Sequence, residues 1–161
     1  MKISRDLLVV PSDVVFLGVY LPPSNSSYYA NTDIYNGVSM VEQCILDVCE
    51  SHGDVSFILG GDFNSRTGCL LPTDDFLPDD TVEFRTTASD SSSSSRCSKD
   101  TSVNAFGTYL VSVCEQFHLV ILNGTSPYDC RGDFTYIAPN GCSVVDYFLV
   151  SRGLLNICQS L

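Results

Sequence analysis

Val55-Ser56-Phe57-Ile58-Leu59-Gly60-Gly61-Asp62-Phe63-Asn64 is a short apolar run that ends in two glycines, a carboxylate and a carboxamide. Val, Ile and Phe in so short a run read as a buried strand, and glycines at its end let the backbone turn sharply or approach a ligand closely. In an extended segment residues two apart share a face, so Asp62 and Asn64 are expected side by side. That pairing suits a phosphate ester: the carboxylate holds or deprotonates a water while the amide donates to a phosphoryl oxygen. The plain structural reading is that Asp62 caps a turn and Asn64 steadies the loop after it.

The chain has 161 residues, enough for one domain with a single core. With 44% hydrophobic and 17% charged residues its composition is globular, and no apolar run is long enough to span a bilayer. The Leu7 to Val10 run stops at Pro11, too short for a signal peptide. The eight cysteines form no Cys-x-x-Cys pattern, and the two histidines, His52 and His118, lie far apart, which argues against a zinc site or a disulfide scaffold. Cys44, Cys49 and Cys114 fall at apolar positions of predicted helices, so a reducing, intracellular setting, nuclear or cytoplasmic, is expected. The net charge of −11 opposes nucleic-acid binding through a broad basic surface, but Asp74, Asp75, Asp79, Asp80, Glu83 and Asp90 gather much of it in one region.

Upstream, Val14 to Tyr20 reads as a second buried strand, stopped where Pro22 and Pro23 remove donors. Tyr20 at its end is either a packed ring or a phenol donating to a phosphate. Thr32 or Asp33 is a helix N-cap, followed by apolar residues at Ile34, Val38, Val41, Ile45 and Val48, with Gly53 as the stop. Strand, helix, strand is the result, with His52 at the helix end.

Downstream, Ser65-Arg66-Thr67-Gly68 leads into an irregular stretch at about 71–100 with Pro72, Pro78 and five serines from Ser91 to Ser95, expected to be a mobile loop or insertion. Arg66 reads as a solvated arginine, with phosphate binding as the alternative. A second helix starts near Ser102 or Asn104 and carries Val103, Phe106, Leu110, Val113 and Phe117 at helical spacing. Leu119 to Leu122 is a strand that ends at Asn123-Gly124. Asp133 to Ile137 and Ser143 to Val150 flank Pro139-Asn140-Gly141 and read as a hairpin. Asp146, surrounded by strong β-formers, is on a solvent face or held at a site.

Gly61-Asp62-Phe63-Asn64-Ser65-Arg66-Thr67-Gly68, with Val19-Tyr20-Leu21-Pro22-Pro23, Phe134-Thr135-Tyr136 and Ser143-Val144-Val145-Asp146-Tyr147, resembles the endonuclease/exonuclease/phosphatase superfamily. Within it the chain most resembles the apurinic-like endonuclease domain of LINE-type non-LTR retrotransposons, over about Val14 to Val150. The resemblance implies a four-layered α/β sandwich, two mixed sheets flanked by helices, and Mg²⁺-dependent hydrolysis of DNA phosphodiesters in target-site nicking. It implies that Asp62 orients or activates the attacking water and that Asn64 contacts the scissile phosphate. Tyr20 and Thr135 are implied phosphate contacts, and Asp146 the carboxylate that orients a catalytic histidine. DNA is the implied substrate, a fused reverse transcriptase domain an implied partner, and no membrane is involved.

Three motifs of that family have no counterpart here. Met1 to Asp13 holds nothing like its early Asn and Glu motifs, the glutamate being the main metal ligand, and no Ser-Asp-His motif follows Asp146 before Leu161. The chain is therefore expected to be a partial domain over 1–161, truncated at both ends, with weak or absent Mg²⁺ binding, little or no activity alone and poor solubility. Three other readings remain: a non-catalytic relic or interaction module that keeps the scaffold, a phosphomonoesterase of the same superfamily, and a calcium-binding acidic module. The last lacks the acidic spacing and central glycine of a calcium loop.

Overall fold

The computed structural model describes residues 1–8, 10–30, 36–72, 96–125 and 129–155. Strand β1 (Lys2–Ile3) and the short helix α1 (Arg5–Leu8) precede the long strand β2 (Asp13–Tyr20). A second short helix, α2 (Ser27–Ala30), and the long helix α3 (Gly37–His52) lead to β3 (Val55–Asp62). Helix α4 (Ala105–Gln116) is followed by β4 (Leu119–Ile121), β5 (Tyr136–Ala138), β6 (Gly141–Ser143), β7 (Asp146–Ser151) and a 3-10 turn at Arg152–Leu154.

The chain is mixed α/β, with a five-stranded sheet in the order β1-β2-β3-β7-β4 and a separate two-stranded sheet, β5-β6. β2 and β3 pair in parallel from Asp13↔Val55 to Tyr20↔Asp62, because α3 returns the chain to the same end of the sheet before β3 begins. β1 joins β2, β7 joins β3 and β4 joins β7, all antiparallel.

Each long helix begins at an asparagine. Asn36 accepts from the Val38 N–H at 3.0 Å, and Asn104 accepts from the Gly107 N–H at 2.7 Å, satisfying donors that the first helical turn leaves open. Thr32, Asp33 and Ile34, the expected start of α3, lie outside the described residues, and the observed cap is Asn36. Gly53 ends α3 in a positive-φ conformation (71°) and donates to the Cys49 carbonyl. Val38, Val41 and Ile45 of α3 and Phe106, Leu110, Val113 and Cys114 of α4 are buried, and they form one core with Val15, Phe57, Leu59, Tyr147 and Leu149 of the sheet.

Among the described residues the opposite face is covered at one end only. Val10, Val14 and Leu154 pack there, with Phe16 and Ile58 partly buried beside them. Towards the other end the same face carries Gly18, Gly60 and the exposed rings of Tyr20 and Phe148, 73% and 60% accessible. Alternation is the cause: Val15, Leu17 and Val19 turn to the helices, so Phe16, Gly18 and Tyr20 turn away.

Several expectations change. Nothing was expected before Val14, yet the Met1 backbone exchanges two hydrogen bonds with Phe16 and seeds β1. The expected hairpin is shorter than its flanking runs, and its second arm divides: the Val144 N–H bonds to the Asp100 carboxylate at 3.1 Å, and the chain then enters the main sheet as β7. Cys44 is exposed, not on the core face, whereas Cys114 is buried and burial pushes its thiol up to about 12. The seven described cysteines are all free. The acidic cluster and serine run of the expected loop fall outside the described residues. Among the described residues no helix is long and apolar enough to cross a membrane.

Gly61 has φ 142°, and a Cβ there would lie 2.0 Å from the Val19 carbonyl oxygen of the paired strand. Gly61→Ala is therefore expected to force β2 and β3 apart and cost ~2–4 kcal/mol, read as a lower urea midpoint at unchanged slope.

Candidate functional site at the end of the central sheet

Strand register assembles the site. Tyr20 pairs with Asp62 across β2 and β3, and Asp62 pairs with Asp146 across β3 and β7, so the three side chains form a row at one end of the sheet. Two carboxylates thus stand on directly opposed residues. Burial holds the Asp62 carboxyl above its usual range; the Asn64 N–H acts against this, and the neighbouring Asp146 carboxylate adds to the rise.

Asn64 is not the next-but-one residue of a strand. β3 ends at Asp62, and Asn64 sits in the left-handed region at φ 46°, which asparagine tolerates better than most residues. Its backbone N–H donates to Asp62 Oδ1 at 2.8 Å, closing an Asx turn. Its Nδ2 donates to the Leu21 carbonyl at 2.7 Å, which ties the loop to the chain leaving β2. The turn-forming reading of this pair accounts for these bonds, and one amide N–H and the side-chain oxygen of Asn64 have no part in them.

Thr135 reaches the same place from the foot of the small hairpin. Its Oγ1 accepts from the Val145 and Asp146 N–H groups at 3.0 and 3.1 Å, so it fixes the first residue of β7. The hydroxyl hydrogen is then available for donation outward. Asn123 holds β7 from the other side, with Nδ2 donating to the Asp146 carbonyl at 3.1 Å and Oδ1 accepting from Phe148 N–H at 3.0 Å. It continues the β4 ladder with a side chain after the strand itself has stopped.

Arg66 is not a solvated arginine. Its Nε and Nη2 form a fork on the Asp100 carboxylate at 2.8 and 2.7 Å. It also borders a cleft of ≈ 180 Å³ beside the hairpin residues Asn140 and Cys142. Asp100 is 3% exposed and accepts further from the Ser102 and Val144 N–H groups. Burial alone would push its carboxyl up, but these hydrogen bonds outweigh burial and hold it below the usual value.

Both histidines lie elsewhere. His52 ends α3 just before β3 begins, and His118 precedes Leu119, which pairs with Ser151 at the far end of β7 from Asp146. Seven residue steps of strand separate Val55 from Asp62, roughly 23 Å. No group of three or more His, Cys, Asp or Glu side chains gathers as a metal site among the described residues.

Neither a protein-family model nor a curated protein matches this chain. The sequence motifs and the geometry therefore carry the functional reading between them. Tyr20, Asp62, Asn64, Thr135 and Asp146, spread over more than a hundred positions, meet at one end of one sheet. Asp100, Asn104 and Asn123 were not singled out as site residues. Their only local signals are a helix cap for Asn104 and a turn pair for Asn123.

The two carboxylates make opposite contributions to stability. Asp62 binds its proton more tightly folded than unfolded, so its ionised form penalises folding at neutral pH. Asp62→Asn, which keeps the acceptor, is expected to be the more stable protein at pH 7, and the difference should vanish below roughly pH 3 in urea titrations. Asp100 stabilises the fold above its unfolded value and loses that contribution as pH falls through its lowered folded value. Asp100→Asn is expected to cost ~2 kcal/mol at pH 7, less than a fully buried pair because the Arg66 side chain is 36% exposed, and progressively less in acid.

Proposed function

We propose that this chain is part of a Mg²⁺-dependent DNA endonuclease of the endonuclease/exonuclease/phosphatase superfamily, of the kind that nicks DNA for non-LTR retrotransposition. The observation that carries the reading is the row Tyr20, Asp62, Asp146, with Asn64 and Thr135 beside it, since all five are the positions that the sequence motifs mark. The partly open apolar face of the main sheet supports the four-layered architecture, because a second sheet packed there would cover Phe148 and the Gly18–Gly60 strip.

In this reading Asp62 accepts a proton from the attacking water, or orients it, and its raised affinity for protons suits that task. Tyr20, whose ring is 73% exposed, donates its phenolic hydrogen to a phosphate oxygen. Asn64 donates through its remaining amide hydrogen and Thr135 through its hydroxyl. Asp62 and Asp146 are the carboxylates that would hold Mg²⁺ together with substrate phosphate, a donor set at the low end of what this ion uses. When bound, the ion neutralises charge that develops on the phosphate. The isolated chain lacks counterparts of the family's Glu and Ser-Asp-His motifs, and both its histidines lie away from Asp146, so we propose that it is inactive or nearly so alone.

A second reading, a scaffold without catalysis, is favoured by the backbone bonds of Asn64 and Thr135, which serve the fold. Nicking of supercoiled plasmid in Mg²⁺ separates the two. The 161-residue chain is expected to leave plasmid intact, the chain extended by its genomic flanks to nick it, and Asp62→Ala in the extended chain to lower the rate ~10²–10⁴-fold. An extended protein that does not nick sinks the nuclease reading.

A further inference from the structure

The segment from Arg96 to Asn104 braces the loop after β3, alongside Leu21 and Tyr147. Arg96 donates through Nη2 to Thr67 Oγ1 at 2.6 Å and to the Gly68 carbonyl, and Asp100 receives the Arg66 fork. Asn104 does more than either. Its Oδ1 accepts from Gly107 N–H at 2.7 Å and Arg66 N–H at 2.9 Å, its backbone N–H donates to the Arg66 carbonyl at 3.0 Å, and its Nδ2 donates to the Asn64 carbonyl at 3.2 Å.

We propose that Asn104 is a positioning residue for the Asp62–Asn64 pair, its amide nitrogen holding Asn64 in the left-handed turn that aims the Asn64 N–H at Asp62. A helix cap needs only the side-chain oxygen, which serine, threonine or aspartate also supplies. The amide nitrogen is surplus to capping, and it bonds to a residue 40 positions away in sequence. Asn64 at φ 46° occupies a region that costs energy for any residue with a Cβ, so the turn persists only where neighbours hold it. The carbonyl of Asn64 is held by Asn104, its Nδ2 by Leu21 and its N–H by Asp62, and of the three only the Asn104 bond anchors the turn to a helix. A Cβ on Gly107 would fall 1.9 Å from the Arg66 carbonyl oxygen, so the first turn of α4 lies directly against this loop and the two are one mechanical unit.

The catalytic meaning of this role rests on the nuclease reading, but its test does not. Backbone amide hydrogen exchange of the full 161-residue chain, read by NMR, separates capping, reported by Gly107, from positioning, reported by Asn64. In the unsubstituted protein both amides should be protected. Asn104→Asp keeps the cap oxygen and puts an anionic oxygen in place of the donor, so Gly107 should keep its protection while Asn64 loses about tenfold or more; Asn104→Ala should expose both. Asn104→Ser, a neutral cap too short to reach Asn64, should reproduce the split seen with aspartate. Unchanged Asn64 protection in Asn104→Asp, equal loss at both amides, or an Asn64 amide that exchanges freely in the unsubstituted protein would each overturn the proposal. So would a failure of both capped variants to fold, because both retain what the helix needs. Plasmid nicking by the extended protein reports on the nuclease reading alone, and the exchange pattern on positioning alone.

Discussion

One buried carboxylate, that of Asp100, ties together the segments that make the end of the sheet. It accepts from the Arg66 fork, from Ser102 N–H and from Val144 N–H, four bonds that fill the acceptor capacity of a carboxylate. The loop after β3, the approach to α4 and the entry to β7 all converge on it. The Val144 bond, together with Thr135 Oγ1 on the Val145 and Asp146 N–H groups, fixes the chain leaving the small hairpin where it begins pairing with β3. Asp100 thereby helps to place Asp146 opposite Asp62.

The main sheet divides its faces unequally. Towards α3 and α4 the side chains of Val15, Phe57, Leu59 and Leu149 are almost completely buried, and the core there is continuous. On the other side Gly18 and Gly60 contribute no side chain, and the ring of Phe148 lies over Gly60, so close that a Cβ there would meet it at 2.9 Å. An exposed phenylalanine forgoes roughly 1.5–3 kcal/mol of burial. The row of Tyr20, Asp62 and Asp146 lies at the edge of this open face, so the same strands that build the dry core also present the polar end.

A cost is visible beneath the loop. Arg96 is 3% exposed, and its Nε and Nη1 have no hydrogen-bond partner among the described residues; burial lowers its affinity for the proton. Its Nη2 is well used, on Thr67 Oγ1 and the Gly68 carbonyl. Thr67 in turn meets the Tyr147 hydroxyl, which donates to the Val144 carbonyl at 2.9 Å. The guanidinium thus closes a buried network that runs from the loop to β7. Unsatisfied buried donors destabilise a fold, and this one sits beside residues whose placement matters most.

By itself the sequence determined what local periodicity and local chemistry can determine. Apolar runs fixed β2 and β3, helical spacing fixed α3 and α4, Gly53 marked a stop and Ser102 or Asn104 a start, because each of these signals acts within one or two turns of chain. It also marked Asp62, Asn64, Tyr20, Thr135 and Asp146 as residues of interest, from motifs that are contiguous. Only the tertiary structure decided how they meet. Strand register put Asp146 opposite Asp62, and Asn64 left the strand alternation because Gly61 and Asn64 both take positive φ. Arg66 found a partner 34 residues away, and Thr67 one 80 residues away. Such pairings depend on how elements pack, which no local pattern encodes, and for that reason Asp100, silent in the sequence, and Asn104, legible there only as a helix start, turn out to brace this end of the sheet.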